Sequence, residues 1–268
     1  MDCNLEDYYN NLDEIFSSAA PIYDEKIQAN FINVGIREKE VDSVVSRYKE
    51  GWNVLEIGCG TGEEARKVIN ATGCNLTCID VSKGMIDYSS EKLKKFGLGD
   101  KFRGVKMPAA SVESLDGKFG MVYSFNGALN NEPQLEKFFS SLERVVESGG
   151  YFITSVRNRL SFAEFLVDLI RFRFRKLFAR IGGDLAVEVV GQKIESHYFY
   201  NYEFLGLVPP SFRIERIQGL GIFAIPSISE KIKAPEIRAV LNKMEVAFTS
   251  VPPFNRLGDE TLFVFRKI

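Results

Sequence analysis

Histidine is nearly absent from this chain: His197 is the one copy in 268 residues, and tryptophan also occurs once. Cysteine is sparse, and Cys3, Cys59, Cys74 and Cys78 show no C-x-x-C spacing. One imidazole and scattered thiols supply no ligand set for a zinc or iron–sulfur centre, so no metal is expected and the thiols read as reduced. An excess of one charge is lacking too. With 34 Lys and Arg against 36 Asp and Glu the net charge is −2, which gives no global drive toward nucleic acid or an anionic membrane. No apolar run reaches the roughly 18 residues that a membrane-spanning helix needs. The first residues, Met1-Asp2-Cys3-Asn4-Leu5-Glu6-Asp7, are acidic and lead into no apolar h-region, so a cytoplasmic protein is expected.

What the chain does contain is a globular composition, 45% hydrophobic and 26% charged, at a length that allows one large domain or one domain with an insertion. Its most informative stretch is Val54-Leu55-Glu56-Ile57-Gly58-Cys59-Gly60-Thr61-Gly62. A short apolar strand carrying one acid runs into glycines at every second position, and Glu63 to Val68 are good helix formers. Glycine in a strand-to-helix turn permits φ > 0, and its missing Cβ lets a ligand lie against the main chain. The following helix offers unpaired N–H groups at its N-terminus. A purely structural turn would use glycine in the same way, so the flanking residues must decide. The dinucleotide fingerprint G-x-G-x-x-G has a different register.

Around this turn, strands and helices alternate. Helices are expected over Asn11–Ala20, Glu25–Val34 and Arg37–Lys49, with a break at Pro21. After the glycine turn come a helix of Glu63–Ala71, a strand of Asn75–Asp80 and a helix of Lys83–Phe96 with Ser82 as N-cap. Strands of Lys101–Met107, Phe119–Phe125 and Tyr151–Val156 follow, with a helix of Glu132–Glu147 before the last. Such alternation predicts an α/β protein whose parallel sheet is doubly wound, with ligands at the carboxyl ends of the strands. The turn, Asp80 and Asn126 all fall there. Arg213–Gln218 and Thr261–Arg266 alternate like later strands, with a helix between them flanked by loops that carry Pro226, Pro235 and Pro252-Pro253.

Asp80 stands 20 residues beyond Gly60, where an acid at a strand end accepts hydrogen bonds from ribose hydroxyls. The order Glu56-x-Gly58-x-Gly60-x-Gly62, then Asp80-Val81-Ser82 and Met85, resembles the class I S-adenosylmethionine-dependent methyltransferases, and in particular their small-molecule, type 11/12-like subgroup. Phe119-Gly120-Met121-Val122 resembles that family's "FDxV" strand, and Arg144 to Gly150 its "L-x-P-G-G" approach to the fifth strand. Ala20-Pro21-Ile22-Tyr23-Asp24 is similar to the subgroup's opening, and Gly258 to Lys267 to its closing antiparallel strand. The resemblance covers residues 16–156 well and 195–268 loosely. It implies a Rossmann-like, seven-stranded, mostly parallel sheet, with residues 1–50 as a helical cover and 51–268 as the methyltransferase domain, interrupted at about 157–195 by an inserted lid.

Carried over by position, the resemblance places Gly58, Cys59, Gly60 and Gly62 along the methionine part of S-adenosylmethionine. Glu56 braces the turn or reaches the amino group, Asp80 binds the ribose, and Val81 and Met85 sandwich the adenine. Tyr23 closes over the cofactor, while Asn126, or the main chain at Ser124 and Phe125, faces the methyl group and the acceptor. Two positions depart from the pattern. The acid that takes the adenine amino group is replaced by Ala109-Ala110-Ser111, which leaves Ser111 or main chain to do that work. The "FD" aspartate is Gly120, a local structural matter.

Methyl transfer from a sulfonium mainly needs positioning, although a hydroxyl acceptor would need a base. His197 is the candidate base, against the alternative of a structural histidine. Arg37 reads as solvated surface, in preference to a partner for a substrate carboxylate or for Asp24. Arg159–Arg180 reads as one inserted helix whose six basic and two acidic residues leave +4. It is a lid over an apolar or anionic acceptor, a peripheral membrane contact through residues 159–180, or a packed helix with a solvated arginine face. The expected function is methyl transfer to a small-molecule acceptor. A non-catalytic S-adenosylmethionine-binding sensor and an RNA or protein methyltransferase are the alternatives. The near-neutral charge and the lack of an "NPPY"-type motif count against nucleic acid.

Overall fold

The computed structural model describes residues 4–28, 30–189, 191–225, 232 and 234–268, so Cys3 and Pro226 lie outside the described residues. The sheet is built from β1 (Asn53–Ile57), β2 (Asn75–Asp80), β3 (Phe102–Lys106), β4 (Phe119–Ser124), β5 (Val146–Arg157), β8 (Phe212–Leu220) and β9 (Glu260–Lys267). Its order is β3-β2-β1-β4-β5-β9-β8. Neighbours from β3 to β5 run parallel, whereas β9 is antiparallel to both β5 and β8. The direction of winding reverses between β1 and β4. Loops leave the sheet in opposite directions there and open a crevice at the strands' carboxyl ends. This is the seven-stranded, doubly wound sheet that the sequence implied.

Period-2 alternation sorts the strands' side chains into two cores. Val54, Met121, Tyr123, Ile153 and Val264 face one layer, which takes in Ile36 and Val44 of α2 (Phe31–Val45) and Val68 of α3 (Glu63–Thr72). Leu55, Val122, Phe152, Phe263 and Phe265 face the other, against Phe138 and Phe139 of α5 (Leu135–Val145). Each such side chain contributes about 1.5–3 kcal/mol by leaving water. Gly120 is explained here, because a Cβ on it would lie 2.2 Å from the ring of Trp52. The strand therefore gives up the family's aspartate to let the indole pack flat.

Two expected boundaries are corrected. The N-terminal region forms α1 (Leu5–Gln28), which runs through Pro21, followed by α2, in place of three helices. A proline inside a helix costs about 3 kcal/mol. Against that, Leu12, Ile15, Ala19 and Ala20 are buried along one face of α1. Gly84, at the start of α4 (Lys83–Lys95), lets α1 approach, since a Cβ there would meet Ser17 at 2.6 Å. Ser82 caps α4 as expected, its Oγ accepting from Met85 N–H at 3.2 Å.

The inserted segment differs more. The expected single helix is two, α6 (Phe162–Ile170) and α7 (Phe174–Gly182), separated by Phe172 at φ 54. A bulky side chain in the left-handed region costs about 1–2 kcal/mol, and a straight helix cannot contain it. A hairpin of β6 (Asp184–Val189) and β7 (Gln192–His197) follows, then α8 (Asn201–Leu207) and, later, α9 (Pro235–Phe248). Arg180 anchors the segment: its guanidinium lies 2.7 Å from Asp259 Oδ1 and donates to the Asn158 carbonyl.

Candidate active site

At the carboxyl ends of β1, β2 and β4 lies a cleft enclosing about 840 Å³ of space, part of it continuous with solvent. Its floor includes Ile57, Ile79 and Phe125. Its roof is one face of α1, where Tyr9, Leu12, Phe16 and Tyr23 recur at helical spacing. Polar contacts hold that roof down. Asp13 pairs with Lys106 at 2.6 Å, Ser17 bonds Ser82 Oγ at 2.9 Å, and Asp24 takes hydrogen bonds from Thr61 and Lys92.

The glycine turn divides its work. Gly58 has φ 76, and a Cβ on it would strike the Cβ of Ala128 at 2.3 Å, so the β1 and β4 loops meet there. Gly60 lines the cavity at φ 47 with nothing near its absent Cβ, leaving main chain open to a ligand. Gly62 is packing: a Cβ would meet Ser89 at 2.8 Å, and the residue is outside the cavity lining. Asp80 closes the arrangement. Its Oδ2 accepts the Gly60 N–H at 3.0 Å and its Oδ1 the Ser82 N–H at 2.9 Å. Burial pushes its carboxyl up to about 6, and those main-chain donors hold it from rising further.

Among the other candidates, Cys59, Val81, Met85, Tyr23, Phe125 and Asn126 all line the cavity. Asn126 sits at φ 56, a left-handed conformation asparagine tolerates, and its N–H donates to Ser155 Oγ at 3.2 Å. Burial pushes the Cys59 thiol up, which keeps it unreactive. Glu56, Ser111, Ser124 and His197 are not in the cavity lining. Ser124 instead ties β4 to β1 by donating to the Ile57 carbonyl at 3.0 Å. Ser111 sits in a 3-10 turn, its N–H on the Pro108 carbonyl. His197, at the end of β7, stacks edge-on against Phe199 with centroids 4.7 Å apart, and its Nε2 lies 3.4 Å from Arg159. Glu56 is buried behind the turn. Burial, with Glu64 nearby, pushes its carboxyl well above the usual range.

Arg37, expected at the surface, and Tyr9 and Glu132, not singled out from sequence, also line the cavity. Arg37 is 5% exposed, and its Nη1 pairs with Glu64 Oε1 at 2.7 Å at the cavity wall, which corrects the solvated-surface expectation. Packing of α2 on α3 puts it there. Glu132 is the more telling case. Its Oε2 accepts the Ala110 N–H at 3.3 Å and its Oε1 the Tyr9 hydroxyl at 2.5 Å. A carboxylate thus stands beside Ala109-Ala110, where the sequence lacks one, delivered from the loop before α5. The burial of Tyr9 and its bond to Glu132 raise the tyrosine pKa. Helical spacing of the aromatic residues in α1 was the available signal for Tyr9; Glu132 had none.

The residues present fit a nucleoside with an amino-acid tail. Asp80 can accept from a ribose diol, Gly60 offers bare main chain, and Glu56 Oε2 is buried with no hydrogen-bond partner among the described residues. No group of three or more His, Cys, Asp or Glu that could hold a metal ion occurs among the described residues.

Strand order and direction together define a doubly wound α/β domain of the methyltransferase type. Residues 54–150 match the family described as "Methyltransferase domain". A sterol 24-C-methyltransferase of Gibberella zeae is 31% identical over 104 residues, 39% of this chain and 27% of that protein. A ubiquinone/menaquinone biosynthesis C-methyltransferase of Brucella anthropi is 25% identical over 148 residues, 53% of this chain and 55% of that protein. The chain thus spans about a quarter and about half of these two relatives. The solved structure of a putative S-adenosylmethionine dependent methyltransferase from Listeria monocytogenes superposes with a TM-score of 0.60 at 13% identity, covering 88% of this chain and 99% of that one. Residues 54–150 thus match a methyltransferase domain, and the chain is similar in sequence and fold to class I S-adenosylmethionine-dependent methyltransferases.

Proposed function

We propose that the protein binds S-adenosylmethionine in the roofed cavity and transfers its methyl group to a small, largely apolar acceptor. The observation that carries this reading is Asp80, drawn into the cavity wall and fixed through both oxygens by the main chain of the glycine turn and of the α4 cap. Its remaining lone pairs accept the two ribose hydroxyls. Glu132 accepts the adenine amino group in place of the missing acid, and Val81 and Met85 hold the ring. Gly58 and Gly60 lie against the methionine chain, with Glu56 bracing the turn from behind.

When bound, the cofactor supplies an electrophilic methyl on a charged sulfonium. The protein's part is to exclude water, by means of α1 as a cover, and to hold the acceptor in line. Asn126, beside Phe125 at the end of β4, orients the acceptor. His197 lies outside the cavity lining, beside Phe199 and Arg159, and is not the preferred base. An acceptor with its own acidic C–H, N–H or thiol suits the site better than a plain alcohol. The two curated relatives are named for carbon methylation of sterol and of quinone precursors, and Leu12, Phe16 and Met107 give this cavity an apolar side that suits such an acceptor.

Calorimetric titration with S-adenosylhomocysteine tests the binding, and no heat at high micromolar ligand would remove the cofactor reading. Methyl transfer to a panel of quinols, sterols and small amines then separates an enzyme from a sensor. Binding without turnover on any of them would favour the sensor.

A further inference from the structure

Exposed apolar surface is concentrated in one place. Of the 20 large hydrophobic side chains exposed among the described residues, 9 fall between Leu160 and Ile181. At the turn between α6 and α7 the chain reads Arg171-Phe172-Arg173-Phe174-Arg175, every residue exposed. Phe172 is 80% exposed and Ile170 73%. Their aliphatic neighbours Leu166 and Leu169 stand out of α6 on the same segment.

Charges in this segment are sorted by sign. The acids Glu164 and Asp168 are buried. Arg180 is buried on Asp259, and Arg159 lies against Tyr198 and Glu203. Arg171, Arg173 and Arg175 remain outside and make no ion pair among the described residues. The inside keeps its acids and the tip shows only bases, on a chain whose net charge is −2. Left-handed Phe172 turns an aromatic ring to solvent at the apex of the hairpin, against both the steric preference of the backbone and the hydrophobic preference of the side chain.

We propose that the α6–α7 hairpin docks on an anionic phospholipid bilayer, with Phe172, Phe174 and Ile170 inserted at the acyl boundary and the three arginines on the headgroups. Apolar tips flanked by cationic side chains partition into that interface because lipid removes the apolar surface from water while phosphates meet the charge. A second copy of the chain fits worse, since a two-fold contact would set three arginines against three. Nucleic acid fits worse as well, since aliphatic Leu166, Leu169 and Ile170 share the exposed tip and a chain of net charge −2 offers no wider basic field. Docked in this way, the bilayer lies on the segment that continues into the β6–β7 hairpin. Ile194 of that hairpin shares a buried cluster with Leu12 and Ile15 of the cavity roof. The docking does not depend on methyl transfer, and it is measured without cofactor or acceptor.

The experiment is co-sedimentation of the full chain with vesicles of phosphatidylcholine alone or with about one-third phosphatidylglycerol. Partition should be at least tenfold stronger on the anionic vesicles and should weaken with added salt. Arg171→Glu combined with Arg173→Glu and Arg175→Glu should lose at least tenfold. Phe172→Ser with Phe174→Ser should lose severalfold, with an unchanged thermal unfolding midpoint. In a Phe172→Trp variant, the fluorescence should shift to the blue on anionic vesicles. Equal binding to both vesicle types, an unshifted Phe172→Trp spectrum, or a concentration-dependent dimer that Phe172→Ser dissolves would each overturn the proposal.

Discussion

Asp80 and Phe172 are misplaced by the ordinary rules of burial, in opposite directions. Asp80 is an acid drawn into a cavity wall, and two main-chain N–H groups at 3.0 and 2.9 Å offset the loss of water. Phe172 is an aromatic left 80% exposed in a left-handed conformation, with no such compensation inside the fold. The sheet side of the molecule thus completes its unusual residue internally, up to the lone pairs that a ligand would take. The inserted side leaves its unusual residue to be completed by something outside. Both depart from the stable default, and each departure marks a place where we propose that the molecule meets another.

The comparison can be broken most severely at the sheet. Gly120→Asp, which restores the family's residue, should destabilise the protein by on the order of 3 kcal/mol or more, because its Cβ would lie 2.2 Å from Trp52. Thermal melting checks this, and adding Trp52→Ala should recover part of the loss; a neutral Gly120→Asp would show that the indole moves aside freely. Next, Asp80→Ala should weaken S-adenosylhomocysteine binding by tenfold or more, by isothermal titration, with little change in melting temperature. Equal affinity would take Asp80 out of the site.

The same aspartate sets a pH dependence. Its carboxyl is raised from the ordinary 3.8 to about 6 by burial. In the empty protein its contribution to stability is therefore present below about 3.8 and is lost as pH rises through about 6. Ribose hydroxyls donate to the charged form, so affinity should be flat above pH 6 and fall by up to about tenfold per unit below it. Titrations at pH 5 and 7.5 that agree would refute the link. Glu132→Gln should cost about three- to tenfold in affinity for the adenine nucleoside and less for its inosine counterpart, which lacks the amino group. The smallest effect belongs to the inserted side. Phe172→Gly should stabilise the isolated protein by up to about 1 kcal/mol, by removing the left-handed strain. A lower melting temperature would mean that the ring packs in solution.

Much of the sheet side was legible because its signals are local and redundant. Buried parallel strands read as apolar runs, and Asp80 follows the turn at a spacing set by one βαβ unit. The continuity of α1 through Pro21 was not legible. It rests on Leu12, Ile15, Ala19 and Ala20 finding partners on other elements, and a proline's local penalty is visible where its compensation is not. Glu132 was hidden for the same reason: it reaches Ala110 across 22 residues of chain. The β6–β7 hairpin was lost between charges, with Gln192, Lys193 and Glu195 exposed and only Ile194 and Ser196 of that run buried. Such a strand has little apolar period to read.

The fastening of α1 has a kinetic consequence. Tyr9, Leu12, Phe16 and Tyr23 face the cavity, while Asp13, Ser17 and Asp24 tie the same helix to the loops beneath it. For a nucleoside held beneath this helix, lifting of the roof widens the exit, so residence time would follow how often several modest polar contacts let go together. Turnover then has a clock in the hinge of the roof, one that salt can speed without touching any atom that reacts.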